Sequence, residues 1–174
     1  VYASAINSLA IYPANGVSAV IAPSTNSEVA VIKLLDARFI SLDGKNTSGR
    51  AISIVNSNTT TTHAGVWLAS SVTGCSNINL QNLSLTGGST TITAGSHGVI
   101  ACSNVSSPLG GNGSNNDNIT LSGLRIERYT NGISSIGNAS VTADGNNNWT
   151  ISNCQIGPVI PNTSTNLRVA GIIL

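Results

Sequence analysis

Apolar and polar residues alternate in four short segments that read alike: Phe39-Ile-Ser-Leu-Asp-Gly44, Asn77-Ile-Asn-Leu-Gln-Asn82, Asn118-Ile-Thr-Leu-Ser-Gly123 and Asn148-Trp-Thr-Ile-Ser-Asn153. A period of two places the apolar side chains on one face of a β-strand and Ser, Thr and Asn on the other. Gly44, Asn82, Gly123 and Asn153 fall at one equivalent position, and glycine and asparagine accept a left-handed backbone at the lowest steric cost. The pattern therefore predicts a bend at each of these four residues. Behind the bend the alternation resumes with Leu83 and Leu85, Leu124 and Ile126, and Cys154 and Ile156, so two short strands meet at a corner in every repeat.

A second repeat interleaves with the first: Ala64-Gly-Val-Trp-Leu68, His97-Gly-Val-Ile-Ala101, Asn131-Gly-Ile-Ser-Ser135 and Ala170-Gly-Ile-Ile-Leu174. Its glycines are 33, 34 and 39 residues apart, and the bends are 38, 41 and 30 apart. Periods of about 20–50 residues mark solenoids in which each repeat buries its apolar face on the next. Length variation falls in the segments 56–62, 103–117, 143–147 and 158–166, which are rich in Asn, Ser, Thr, Gly and Pro and show no helical period. Strands recurring in one direction at a fixed period pair in parallel, not as hairpins. The expected fold is all-β, a right-handed parallel β-helix of about four to five coils. Residues 8–13 and 29–33 read as strands of an earlier coil, and the whole of 1–174 reads as one β-helix domain, a fragment of a longer helix truncated at its C-terminal end and at its N-terminal end.

Composition narrows the partners. Only 7% of the 174 residues are charged, with seven Lys and Arg against six Asp and Glu, so no basic cluster exists to release counterions from a nucleic acid. The plentiful, periodic Val, Ile and Leu argue against disorder, and no apolar run reaches the roughly 20 residues that cross a bilayer. Neither a nucleic-acid partner nor membrane insertion is expected. Cys75, Cys102 and Cys154 form an odd set without a CxxC, which indicates neither a disulfide framework nor a zinc site. Cys154 aligns with Leu83 and Leu124 as a core thiol, and whether Cys75 and Cys102 pair is left open.

The runs Ile11–Val17, Ala30–Gly44 and Ala51–Asn56 resemble the right-handed β-helix regions of very large secreted surface proteins of Bacteroidetes-type bacteria, a fold shared with the pectate-lyase-like superfamily. The resemblance spans nearly the whole chain. It implies an adhesin-like role, an extracellular or cell-surface location and export by the type IX route. The implied partners are other domains of the same polypeptide, glycans and neighbouring copies.

Parallel β-helices also carry pectate lyases and polygalacturonases, and this is the competing reading, together with an inactive carbohydrate-binding relative. Glycoside hydrolysis needs two carboxyl groups facing one groove, roughly 5–10 Å apart. Of the acids Glu28, Asp36, Asp43, Asp117, Glu127 and Asp144, no two occupy equivalent positions in adjacent coils, and they read as loop caps and surface partners. Arg125 and Glu127 face outward on one strand as an exposed pair, with Arg128 beside them. His63 and His97 precede the Gly-Val strand in consecutive coils without further metal ligands. The loop Leu109-Gly-Gly-Asn-Gly-Ser-Asn-Asn-Asp117 is similar to the calcium-binding glycine-rich nonapeptide, but Asn115 stands where an acid is expected, which leaves calcium unsupported. Thr59–Thr62 and Thr90–Thr93 lack the regular rows of an ice-binding face, and the Asn-x-Ser/Thr matches at Asn46, Asn58, Asn82, Asn104, Asn118 and Asn148 follow from composition. Trp67 and Trp149 read as packed between coils. The sequence thus names no catalytic, cofactor or metal residues and favours a stiff stalk or adhesive segment.

Overall fold

The computed structural model describes residues 3–25, 27–47, 49–59, 62–88, 95–102, 106–108, 115–137, 145–157 and 170–173. Their strands wind through three faces in strict rotation. The first sheet stacks β1 (Leu9–Ile11), β4 (Arg38–Asp43), β9 (Ser76–Gln81), β12 (Asp117–Ser122) and β15 (Thr150–Ser152). The second stacks β2 (Ala19–Ile21), β7 (Ile52–Asn56), β10 (Leu83–Gly87), β13 (Arg125–Glu127) and β16 (Gln155–Ile156). The third stacks β3 (Ala30–Leu35), β8 (His63–Ala69), β11 (Ser96–Cys102), β14 (Asn131–Ser135) and β17 (Ala170–Ile173). Every pairing within these three sheets is parallel. The chain is an all-β parallel β-helix of between four and five turns, and the described residues include no helix.

Register turns the sequence repeat into stacks of like side chains. Ile40, Ile78 and Ile119 lie one above another, as do Ile11, Leu42, Leu80, Leu121 and Ile151. In the second sheet Ile21, Ile54, Leu85, Ile126 and Ile156 form a column, and in the third Ile32, Val66, Val99, Ile133 and Ile172 do so. These columns converge on one interior cluster in which Ile54, Ile78, Leu83, Leu85, Ile119 and Leu121 are fully buried. Burying each such side chain contributes about 1.5–3 kcal/mol.

The corners obey the same stacking. Asn82, Gly123 and Asn153 are left-handed, with φ of 52°, 65° and 54°. The N–H of Gly44 donates to the Gln81 carbonyl, that of Asn82 to Ser122 and that of Gly123 to Ser152, at 2.9–3.0 Å. Gly44 is the exception among the four expected bends, because it lies outside the left-handed region. Its glycine is needed for space instead: a Cβ there would overlap the Asn82 carbonyl oxygen of the coil above. The chain leaves the helix at this corner in a small antiparallel hairpin, β5 (Lys45–Asn46) and β6 (Gly49–Arg50), and returns where the Ala51 N–H donates to the Gly44 carbonyl. Arg50 Nε and Asn46 Nδ2 tether the hairpin to the carbonyls of Gly123 and Val17. The periodic reading had no place for this excursion.

A second left-handed row stands at the start of the first sheet, where Phe39, Asn77, Asn118 and Asn148 have φ between 55° and 56°. Three of the four are asparagine, the residue besides glycine that visits this region most readily; Phe39 is held there against its steric preference.

The Gly-Val repeat of the third sheet has a separate cause. A Cβ on Gly65 would come within 2.8 Å of both the Gly98 carbonyl oxygen and Tyr129 Oη. On Gly98 it would overlap Ile126 Cγ2, and on Gly132, Ile156 Cγ2. These glycines let the third sheet close against the second. At β8 and β11 the outer side of the third sheet is also withdrawn from solvent, since every residue of these two strands is buried. Trp67, Ile100 and Cys102 form a second cluster there with Ala64 and Ala69, and Lys33 Nζ sits 4.4 Å from the Trp67 ring centroid.

Gly98→Ala is therefore expected to lower unfolding stability by about 1–3 kcal/mol through overpacking, whereas Gly171→Ala, with nothing within 4 Å of the added methyl, is expected to shift it by less than about 0.5 kcal/mol; equilibrium denaturation of the two variants checks the contrast. Phe39→Asn is expected to raise the unfolding free energy by up to about 1 kcal/mol, and a fall would show that the Phe39 ring outweighs its backbone cost.

Candidate functional site

Each described acid is engaged by nearby groups. Asp36, itself left-handed with φ of 46°, reaches into the next coil, where Oδ1 accepts the backbone N–H groups of Ser71, Val72, Thr73 and Gly74 at 2.9–3.2 Å. Four successive amides thus form an anion-holding nest that the protein fills with its own carboxylate. Burial by itself would raise the Asp36 pKa; the donors from Ser71, Val72 and Thr73 outweigh it and hold the group below its ordinary 3.8. Asp43 Oδ1 accepts from the Lys45 N–H and from Asn82 Nδ2, both at 2.9 Å. Asp117 Oδ1 accepts from the N–H and Nδ2 of Asn147. Glu127 is paired with Arg125 on the same strand, and Glu28 takes the Thr25 hydroxyl. Asp144 lies outside the described residues.

His63 and His97 are both buried at the start of β8 and β11, in the setting the sequence proposed. His63 packs against Tyr129, ring centroids 6.1 Å apart. His97 Nδ1 lies 2.9 Å from Ser134 Oγ, while its Nε2 has no hydrogen-bond partner. Burial, with a smaller contribution from His63, lowers the His97 pKa from 6.5 to about 4, and burial raises that of Tyr129. Among the described residues no three His, Cys, Asp or Glu side chains come together as metal ligands.

All three cysteines are free. Cys75 belongs to the interior cluster and Cys102 to the outer one, where Trp67 Nε1 donates to Cys102 Sγ at 3.2 Å. Burial pushes the Cys75 thiol up to about 11, which leaves it unreactive as a thiolate. Cys154 is half-buried against the core. Trp149 packs against the core too, its Nε1 donating to the Asn116 carbonyl. The glycine-rich loop lies largely outside the described residues; of its last three positions Asn116 is buried and Asp117 opens β12.

The outer side of the first sheet and its leading corner offer polar groups for contact with other molecules. Ser41, Asn79, Thr120 and Thr150 form one outward row and Asp43, Gln81, Ser122 and Ser152 the next, a mixture of hydroxyls and amides without repeated threonine pairs. At the corner preceding this sheet opens a cleft of about 390 Å³, lined by Arg38, Thr73, Ser76, Asn77, Asn115 and Asp117. Arg38, Ser76 and Asp117 are consecutive members of one register column. Sequence reading did not identify the cleft; the Asn77, Asn118 and Asn148 row was its one visible trace.

No family model matches this chain, and no curated protein or solved structure matches it significantly.

Two acid-side effects on stability follow. His97 takes up its proton in the unfolded chain near 6.5 but in the folded protein only near 4, so between these values the unfolded state binds more protons and stability falls as pH is lowered, by on the order of 3 kcal/mol in all. Asp36, with a depressed folded pKa, contributes stability that is present above 3.8 and lost below it. Urea unfolding between pH 7 and 4 is expected to show the first loss, and His97→Phe to flatten it; an unchanged slope in that variant would remove His97 as the cause.

Proposed function

We infer that this β-helix is a non-catalytic structural or adhesive segment of a large extracellular bacterial surface protein. The observation that carries this reading is the fate of the acids. Asp36, Asp43, Asp117 and Glu127 each hold a corner, a hairpin or a neighbouring side chain. General acid–base work on a glycosidic bond needs a carboxyl of raised pKa opposite a second carboxylate. The Asp36 carboxyl moves the other way: against the upward push of burial, the backbone amides it accepts hold it below its ordinary value.

A stalk needs stiffness, and three sheets joined coil to coil by parallel backbone ladders supply it without a single disulfide among the described cysteines. An adhesive surface needs exposed groups that exchange water for a partner's hydroxyls. The outward Ser, Thr, Asn and Gln rows of the first sheet provide them. Contacts through uncharged groups would be little affected by salt. The resemblance to surface β-helices supports the same setting, with glycans, neighbouring copies and further domains of the polypeptide as partners, and with the type IX route as the means of export.

The purified chain, incubated with pectate, polygalacturonate and neutral polysaccharides, is expected to release no new reducing ends and no unsaturated products. Cleavage abolished by Asp43→Asn or Asp117→Asn would replace this reading with that of a polysaccharide-active β-helix enzyme.

A further inference from the structure

We propose that the corner cleft between the third and first sheets binds a glycan chain carrying an anionic group, with that group seated on the Arg38 guanidinium. The inference rests on the adhesive reading above and gives it a location and a ligand class.

Uncommitted polar groups gather in this cleft. Several asparagines elsewhere are tied into the fold: Asn56 and Asn58 donate to the Glu28 carbonyl, Asn82 to Asp43, Asn146 to Ser135 and Asn147 to Asp117. Among the described residues, the side chains of Arg38, Ser76, Asn77 and Asn115 make no hydrogen bond. Of the other described basic side chains, Lys33 lies on Trp67, Arg50 holds a carbonyl and Arg125 holds Glu127, and Lys45 and Arg128 do not line the cleft.

The chemistry of the lining selects the ligand. Amides and hydroxyls exchange hydrogen bonds with sugar hydroxyls, and the cleft's single apolar contributor, Val72, is too little for a peptide side chain. One guanidinium opposed by Asp117 is too little positive charge for a nucleic acid. Arg38 and Asp117 sit two strands apart in one column, about 9–10 Å at ordinary strand spacing, too far to pair. The cleft is therefore polarised along the helix axis. An anionic substituent meets a planar donor fork at one end, and hydroxyl donors meet the Asp117 carboxylate at the other.

Periodicity favours a polymer. Asn77 and Asn118 repeat once per coil, and Asn148 Nδ2 donates to Asn118 Oδ1 to continue the row. One coil advances about 4.8 Å, close to the length of one pyranose residue. A chain laid along the axis thus presents one sugar to each amide, with its charged substituent against Arg38.

The test uses the full 174-residue chain with hyaluronan as the carboxylated probe, heparin as the sulfated probe and dextran as the neutral one, each titrated by calorimetry. At least one acidic polymer is expected to bind ten times more tightly than dextran, with affinity falling as salt is added; whichever is tighter identifies the anionic group. Arg38→Gln is expected to abolish the preference, Arg38→Lys to keep part of it, and Arg125→Gln to leave it unchanged. Arg38 is exposed and bonds nothing, so its variants keep the fold, which a thermal melt verifies. Equal binding of acidic and neutral polymers, an acidic preference that survives Arg38→Gln, or no binding at all would overturn the inference. The first two outcomes leave the adhesive reading standing, whereas cleavage of any probe would overturn that reading whatever Arg38 does.

Discussion

Each coil of this protein hydrogen-bonds to the coil before it and the coil after it, and parallel pairing transmits backbone geometry between them without change of direction. A left-handed corner in one coil is therefore matched most simply by a left-handed corner at the same height in the next, although the Gly44 corner keeps register without one. Asn82, Gly123 and Asn153 satisfy this at one corner and Asn77, Asn118 and Asn148 at another, with φ values within a few degrees of one another along the second row. Phe39 shows the strength of the constraint, because it takes the same conformation with neither the freedom of glycine nor the local hydrogen bonding of asparagine. The apolar columns of Ile, Leu and Val are a consequence: once corners align, so do the inward positions of every strand between them.

The same constraint explains why so polar a chain holds a fold with few charges. Corners leave backbone donors and acceptors unpaired, and buried groups of this kind must find partners. Short amide side chains reach them: Asn116 Oδ1 accepts the Cys75 N–H, Asn146 Oδ1 accepts the Asn116 N–H, and Asn56 Nδ2 donates to the Ala64 carbonyl. The carboxylate of Asp36 does the same for four amides at once. Polar residues that composition alone would assign to a solvated surface are in large part internal braces. Those left over, among them the outward rows of the first sheet and the groups at its leading corner, stand out for that reason.

How far the sequence foretells this architecture depends on which signal repeats. Strand periodicity and the Gly/Asn bends specify parallel coils of three strands, because both recur in every turn. The second left-handed row was equally present as Asn77, Asn118 and Asn148, but Phe39 interrupts it and hides the rule. Gly44 matched the bend pattern for a different reason, the closeness of the Asn82 carbonyl, which depends on the coil above and is invisible along the chain. The β5–β6 hairpin occurs once, and a feature without a repeat leaves no period to detect. The cleft is less legible still, since Arg38, Asn77 and Asn115 are brought together only by stacking.

The stacking itself is what everything above depends on, and nuclear Overhauser contacts in isotopically labelled protein measure it most directly. The account requires backbone contacts joining Ile40 to Ile78 and Ile78 to Ile119, in parallel register, with none joining β9 to β10 across the Asn82 corner. Antiparallel contacts between those successive strands, or absence of the long-range series, would contradict the coil-on-coil arrangement and with it the corner rows, the cleft and the stalk.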